Sequence, residues 1–193
     1  MEEIKDKNVM LTIDCWKYVF SWRTLGGCYI RCFLIFTEDS LVELETSHSD
    51  ISPPFKRGSY GYDLLSNVFW GIIDTIFYEI KSYGDKLNKE VYKNKTLKIE
   101  DFLNFLNKNK IKYKIKNILS YNELKYIKVK EKGKVSIKRD DLEFSLEIVG
   151  EKKRKYEAYL PERSIYNEIC DKFKSLLYGK IYFEKQNKNL LKF

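Results

Sequence analysis

The residues able to do chemistry are few and scattered. His48 is the only histidine, set among Ser47, Ser49 and Asp50. Beside a carboxylate an imidazole has the chemistry of a general base near neutral pH. Serine adjacent in sequence does not make a triad, because triad members meet in space rather than in order. His48 is therefore the weak catalytic candidate, and the competing reading is an exposed loop histidine.

A few residues on, Lys56, Arg57, Ser59 and Tyr60 bring two cations and two hydroxyls, flanked by Gly58 and Gly61, just ahead of an apolar run. A helix starting there offers free amides and a dipole that favour an anion, so these four are the candidate ligand-binding residues for a phosphate or carboxylate. The stretch lacks the GK[ST] ending of a P-loop. Its plain alternative is an ordinary capping loop.

Cys15, Cys28, Cys32 and Cys170 lie in apolar or amphipathic stretches and read as buried thiols. Cys28 and Cys32 on one strand would sit ~13 Å apart, too far to share a metal, so no metal and no cofactor is expected. Asp141 with Glu151-Lys152-Lys153 imitates a metal-nuclease signature. The strand pattern between them puts ~25 Å between the carboxylates, which rules out a shared ion.

Charge is lopsided. Residues 1–80 hold 7 Lys and Arg against 12 Asp and Glu, whereas 81–193 hold 29 against 16, within a net +8. Such asymmetry suits nucleic acid or an acidic partner. Lys112, Lys114 and Lys116 alternate with Ile111, Tyr113 and Ile115, placing three cations on one strand face as the candidate acidic-partner or nucleic-acid surface. Interleaved Tyr113, Tyr121 and Tyr126 add stacking chemistry, although their parity is that of the core. Because nearly all the cations are lysine, the recognition fork of arginine is scarce, and a solvated lysine surface is the competing explanation.

These residues need elements to position them. Leu64, Leu65, Val68, Phe69, Ile72, Ile73, Ile76, Phe77 and Ile80 recur at helical spacing, predicting a central helix over about 62–82. Asn67, Asp74 and Glu79 interrupt it, so it is read as a core helix and not a membrane span. Before it, 9–46 reads as a three-stranded meander with the LVELET strand at an edge, and 47–61 as a long loop. After it come an amphipathic helix near 99–109, the 111–116 strand, and a four-stranded meander from Leu124 to Leu160 with a turn at Glu131-Lys132-Gly133. In that meander Glu143 and Glu147 are expected to face Lys134 and Lys138. A helix near 162–178 and a short IYF strand close the chain.

The expected class is α+β: antiparallel β meanders packed on the central hydrophobic helix, in a single domain over 1–193. A sub-division into an acidic βββα half (1–84) and a basic half (85–193) is open. With no secretory pattern at the N-terminus, the cytoplasm is the expected compartment. The expected function is a small intracellular non-enzymatic binding protein, inhibitor- or immunity-like, engaging an acidic protein partner or an anionic ligand. Two alternatives stand beside it: nucleic-acid binding through the Lys-rich half, and a small enzyme acting on a phosphorylated or nucleotide substrate at the 47–61 loop.

Overall fold

The computed structural model describes residues 2–21, 26–46, 97–108, 111–134, 142–160 and 163–184. In chain order these form α1 (Glu2–Lys5), β1 (Leu11–Ser21), β2 (Gly26–Phe36), β3 (Ser40–Thr46), α2 (Ile99–Lys108), β4 (Tyr113–Ser120), β5 (Tyr126–Lys134), β6 (Leu142–Val149), β7 (Lys153–Leu160), α3 (Arg163–Leu176) and β8 (Ile181–Glu184). The eight strands make one sheet in the order β4-β3-β2-β1-β7-β6-β5-β8. Described neighbours pair antiparallel except β5 and β8, which are parallel. The expected α+β class, with meanders packed on a helix, is thereby corrected. A large mixed sheet organises the described chain, and two short helices are packed onto it. Periodicity reports which face of a strand is buried but not which distant strand it joins, so the assembly of two meanders into one sheet was invisible to it. The expected 62–82 helix lies outside the described residues.

The sheet has to curl. β4 is first in the order and β5 seventh, so in a flat sheet they would stand about 29 Å apart at ~4.8 Å per strand. Residues 121–125, which join them, reach only about 21 Å when fully extended. Two β-bulges help the bend, one between β3 and β4 at Glu43/Leu44, the other between β5 and β6 at Glu131/Gly133. Gly133 thus marks a bulge inside a nine-residue strand and not the turn its sequence suggested. Lys180 Nζ, at the β8 end, donates across the curl to the Tyr121 carbonyl at 2.7 Å.

Each face has its own core. The concave face gathers Ile13, Leu34, Phe36, Val129, Phe144 and Leu146 around α3, which contributes Tyr166, Ile169 and Phe173. Phe173 meets Phe36 edge-on at 5.0 Å, and Tyr166 meets Phe144 at 5.4 Å. Gly179, at φ 75°, turns the chain after α3 in a conformation that side chains resist. On the convex face α2 buries Ile99, Phe102, Leu103 and Leu106 against Phe33, Ile35, Val42 and Leu44. Its first turn is closed by Asp101, whose carboxylate accepts from the Lys98 amide at 3.1 Å.

The remainder of the convex face, over β7, β6, β5 and β8, is a lattice of ion pairs. Lys132 bridges Glu143 and Glu157, Lys153 meets Glu147, and Lys128 and Lys130 share Glu184. Glu143 and Glu147 thus pair with Lys132 and Lys153; the expected partners, the Lys134 side chain and Lys138, lie outside what the structure describes.

Two cores on opposite faces should fail independently. Phe102→Ala and Phe173→Ala are each expected to cost about 3–5 kcal/mol. Their effects should add to within about 0.5 kcal/mol in urea unfolding of the double variant, because they share no neighbours.

Candidate functional site

Several strands in the middle of the sequence carry charges at core-facing positions, which a purely structural strand avoids. Glu43 on β3 is the most buried of these carboxylates, at 1% exposure. Its parity places it on the concave face, where Lys17 Nζ of β1 donates at 3.1 Å. Asn117 Nδ2 of β4 donates to its other oxygen, and the Tyr156 hydroxyl of β7 donates as well. Lys17 also donates to Glu45 at 3.2 Å, and Lys116 lies 3.6 Å from Glu45. Asn117 in turn accepts from Arg154 Nη2 at 3.4 Å. β4 and β7 are four places apart in the sheet, so only the curl lets Arg154 reach Asn117.

Burial and neighbouring charge shift Lys17, Tyr156 and the thiols of this region. Burial works to lower the Lys17 pKa, but Glu43 and Glu45 outweigh it and keep the ammonium charged. Burial, then the Glu43 charge, pushes the Tyr156 hydroxyl up. Cys32, in register with both Cys15 and Glu45, is raised by burial and then by Glu43. Cys15 is raised by burial and then by Cys32. Cys170 is pushed up to about 11, chiefly by burial. Thiols so placed are protonated and poor nucleophiles.

The Cys32 sulfur and the Glu43 and Glu45 carboxylates come within 4.8 Å of one another, a spacing open to a metal ion. The Lys17 ammonium stands on both carboxylates and is their counter-ion. Chemically the cluster is a neutralising network with a charged rim. On the other face Arg31, 2% exposed, pairs with Asp14 through Nε at 2.8 Å and lies over the Phe33 ring at 5.2 Å.

Of the residues singled out from sequence, His48, Lys56, Arg57, Ser59 and Tyr60 lie outside the described residues. Lys112, Lys114 and Lys116 are all exposed, and β4 is an edge of the described sheet. They do not form one uniform row. The bulge leaves Lys116 without a cross-strand partner and turns it toward Glu45. Tyr113, Tyr121 and Tyr126 are half-buried, with Tyr121 and Tyr126 hydrogen-bonded to Thr37 and Glu147, so they pack more than they present faces. The expected edge position of the LVELET strand is overturned. β3 is interior, and its two carboxylates face inward because Lys17, Asn117 and Tyr156 await them. Lys17, Asn117, Tyr156 and Arg154 were missed altogether. The one available signal was a lysine at core parity in an otherwise apolar run, opposite a strand with two glutamates.

A second surface is the far half of the β1–β2 hairpin. Among the described residues, register partners with β3 and β7 stop at Cys32 and Trp16, while Tyr18–Ser21 and Gly26–Ile30 pair with each other. Tyr18 and Phe20 are 55% and 48% exposed there.

No family model, curated protein or solved structure matches the chain. Among the described residues no helix is long and apolar enough to cross a membrane.

Two outcomes follow for the charged groups. Lys17→Met strands Glu43 as a buried uncompensated charge and should cost about 3 kcal/mol; in a Glu43→Gln background the same change should cost about 1 kcal/mol or less, read by urea unfolding. Asp39 is held down to about 2 by its hydrogen bond from Lys7, then by Ser40. Its folded pKa lies below the unfolded value of ~3.9, so its contribution is complete above pH ~4 and disappears as pH falls toward 2. Melting temperature against pH should show a shallower acid limb for Asp39→Asn.

Proposed function

We propose that the protein is a small, non-enzymatic binding protein of the inhibitor or immunity type, acting in the cytoplasm on an acidic protein partner. The observation that carries this reading is the distribution of unneutralised charge. Most lysines of β5, β7 and β1 are matched by glutamates of the same sheet. At the β4 edge, Lys112 and Lys114 are exposed and form no ion pair among the described residues, although Lys114 lies across from Glu45, with Lys116 beside them. Lysine on an edge strand also discourages pairing with a second, identical edge, so the same residues favour an acidic surface and oppose self-association. The exposed Tyr18 and Phe20 ribbon supplies apolar contact of the kind a protein partner uses.

Nucleic acid is the second reading, because any polyanion is drawn to lysine. Half-buried tyrosines at this edge weaken it, since stacking needs an open ring face. The experiment compares binding of a polyglutamate peptide and a single-stranded oligonucleotide to the full chain and to Lys112→Glu/Lys114→Glu/Lys116→Glu. The expected result is salt-sensitive peptide binding that falls at least tenfold in the triple variant. Equal binding by the variant removes the β4 edge from the function. Oligonucleotide binding without peptide binding replaces the protein partner with nucleic acid.

A further inference from the structure

On the concave face Arg154 meets no carboxylate among the described residues. It shares parity on β7 with Tyr156 and Ala158, which are 1% and 0% exposed, so its guanidinium is directed into the curl. There Nη2 donates to Asn117 Oδ1 at 3.4 Å, while Nη1 is buried without a hydrogen-bond partner. Glu43, the nearest carboxylate of the network, already receives Lys17, Asn117 and Tyr156. Glu157, on the same strand, has the opposite parity and pairs with Lys132.

A guanidinium does not release its proton, and burying part of one without a counter-ion is costly. Within the network Lys17 and Lys116 pair with Glu43 and Glu45, whereas Arg154 reaches it only through Asn117. Arg154 also has the donor fork that matches two oxygens of one planar or tetrahedral anion. Asn117 is a positioning residue here. Its Nδ2 is committed to Glu43, so its Oδ1 faces Arg154 and holds the guanidinium at the rim.

We propose that Arg154, held by Asn117, is the anchor of a binding site for a small oxyanion, a carboxylate or phosphate group, entering the concave face between β4 and β7. The site goes beyond the lysine-edge reading: its ligand is a single oxyanion group, and its anchor is not one of the three edge lysines. One monoanion would give Arg154 a counter-ion and satisfy the buried Nη1.

The test follows the Asn117 side-chain amide by NMR in the full chain, titrated separately with sodium acetate and inorganic phosphate at fixed ionic strength. A saturable shift with either anion, weakened at least tenfold in Arg154→Gln, is the expected result. Arg154→Lys keeps the charge without the fork and serves if the glutamine variant does not fold; it too should bind at least tenfold more weakly. The proposal is overturned by shifts that rise linearly with anion, or by affinities unchanged in the Arg154 variants. Saturation that persists in Arg154→Gln but is lost in Lys112→Glu/Lys114→Glu would assign the anion to the β4 edge and likewise sink it.

Discussion

A sheet whose first and seventh strands are joined by residues 121–125 cannot lie flat, and the rest of the described structure answers to that constraint. Curling brings β3 and β4 round to face β7 and creates a concave side deep enough to receive α3, with α2 on the convex side. The two bulges sit where the bend is needed, and each is a local departure from the ladder that increases twist. Both edges are guarded. β4 carries lysines, and β8 is only four residues long, which limits the unpaired backbone either edge presents.

The curl also explains the buried polar network. Glu43 would be an expensive residue at 1% exposure in a flat sheet, where only the neighbouring strands could reach it. Across the concavity it collects donors from β1, β4 and β7, and the cost of desolvating one carboxylate is offset by three hydrogen bonds, one of them from a cation. That network ties four strands of both meanders together. It also uses up the side chains that would otherwise look reactive, and the thiols beside it are kept protonated by the same burial and negative charge.

Viewed through the fold, the excess of lysine in the second half of the chain loses much of its apparent meaning. Lys128, Lys130, Lys132 and Lys153 on the outer face of β5 and β7 reach glutamates of neighbouring strands, because alternation places outward residues in register with each other. Two places stand out among the described residues: the β4 edge, and the guanidinium inside the curl. The two differ in kind, since one is an exposed, screened surface and the other a half-buried charge with an unfilled donor.

Strand and helix patterns were legible where alternation or helical spacing was clean: Leu142–Val149 shows inward Leu142, Phe144, Leu146 and Ile148, and Ile99–Lys108 shows its apolar stripe. Misreadings arose where one residue type serves two purposes. Gly133 punctuates turns and bulges alike, and Glu43 and Glu45 on an apolar strand look like an edge until their partners are known. The amino-acid sequence by itself determined the local elements and the parity of each strand, because those depend on neighbours two to four residues away. Only the tertiary structure decided the strand order, the mixed sheet, the curl and the meeting of Lys17, Glu43, Asn117, Tyr156 and Arg154. Those rest on contacts between residues as much as 143 positions apart, Cys15 and Ala158, which no local period encodes.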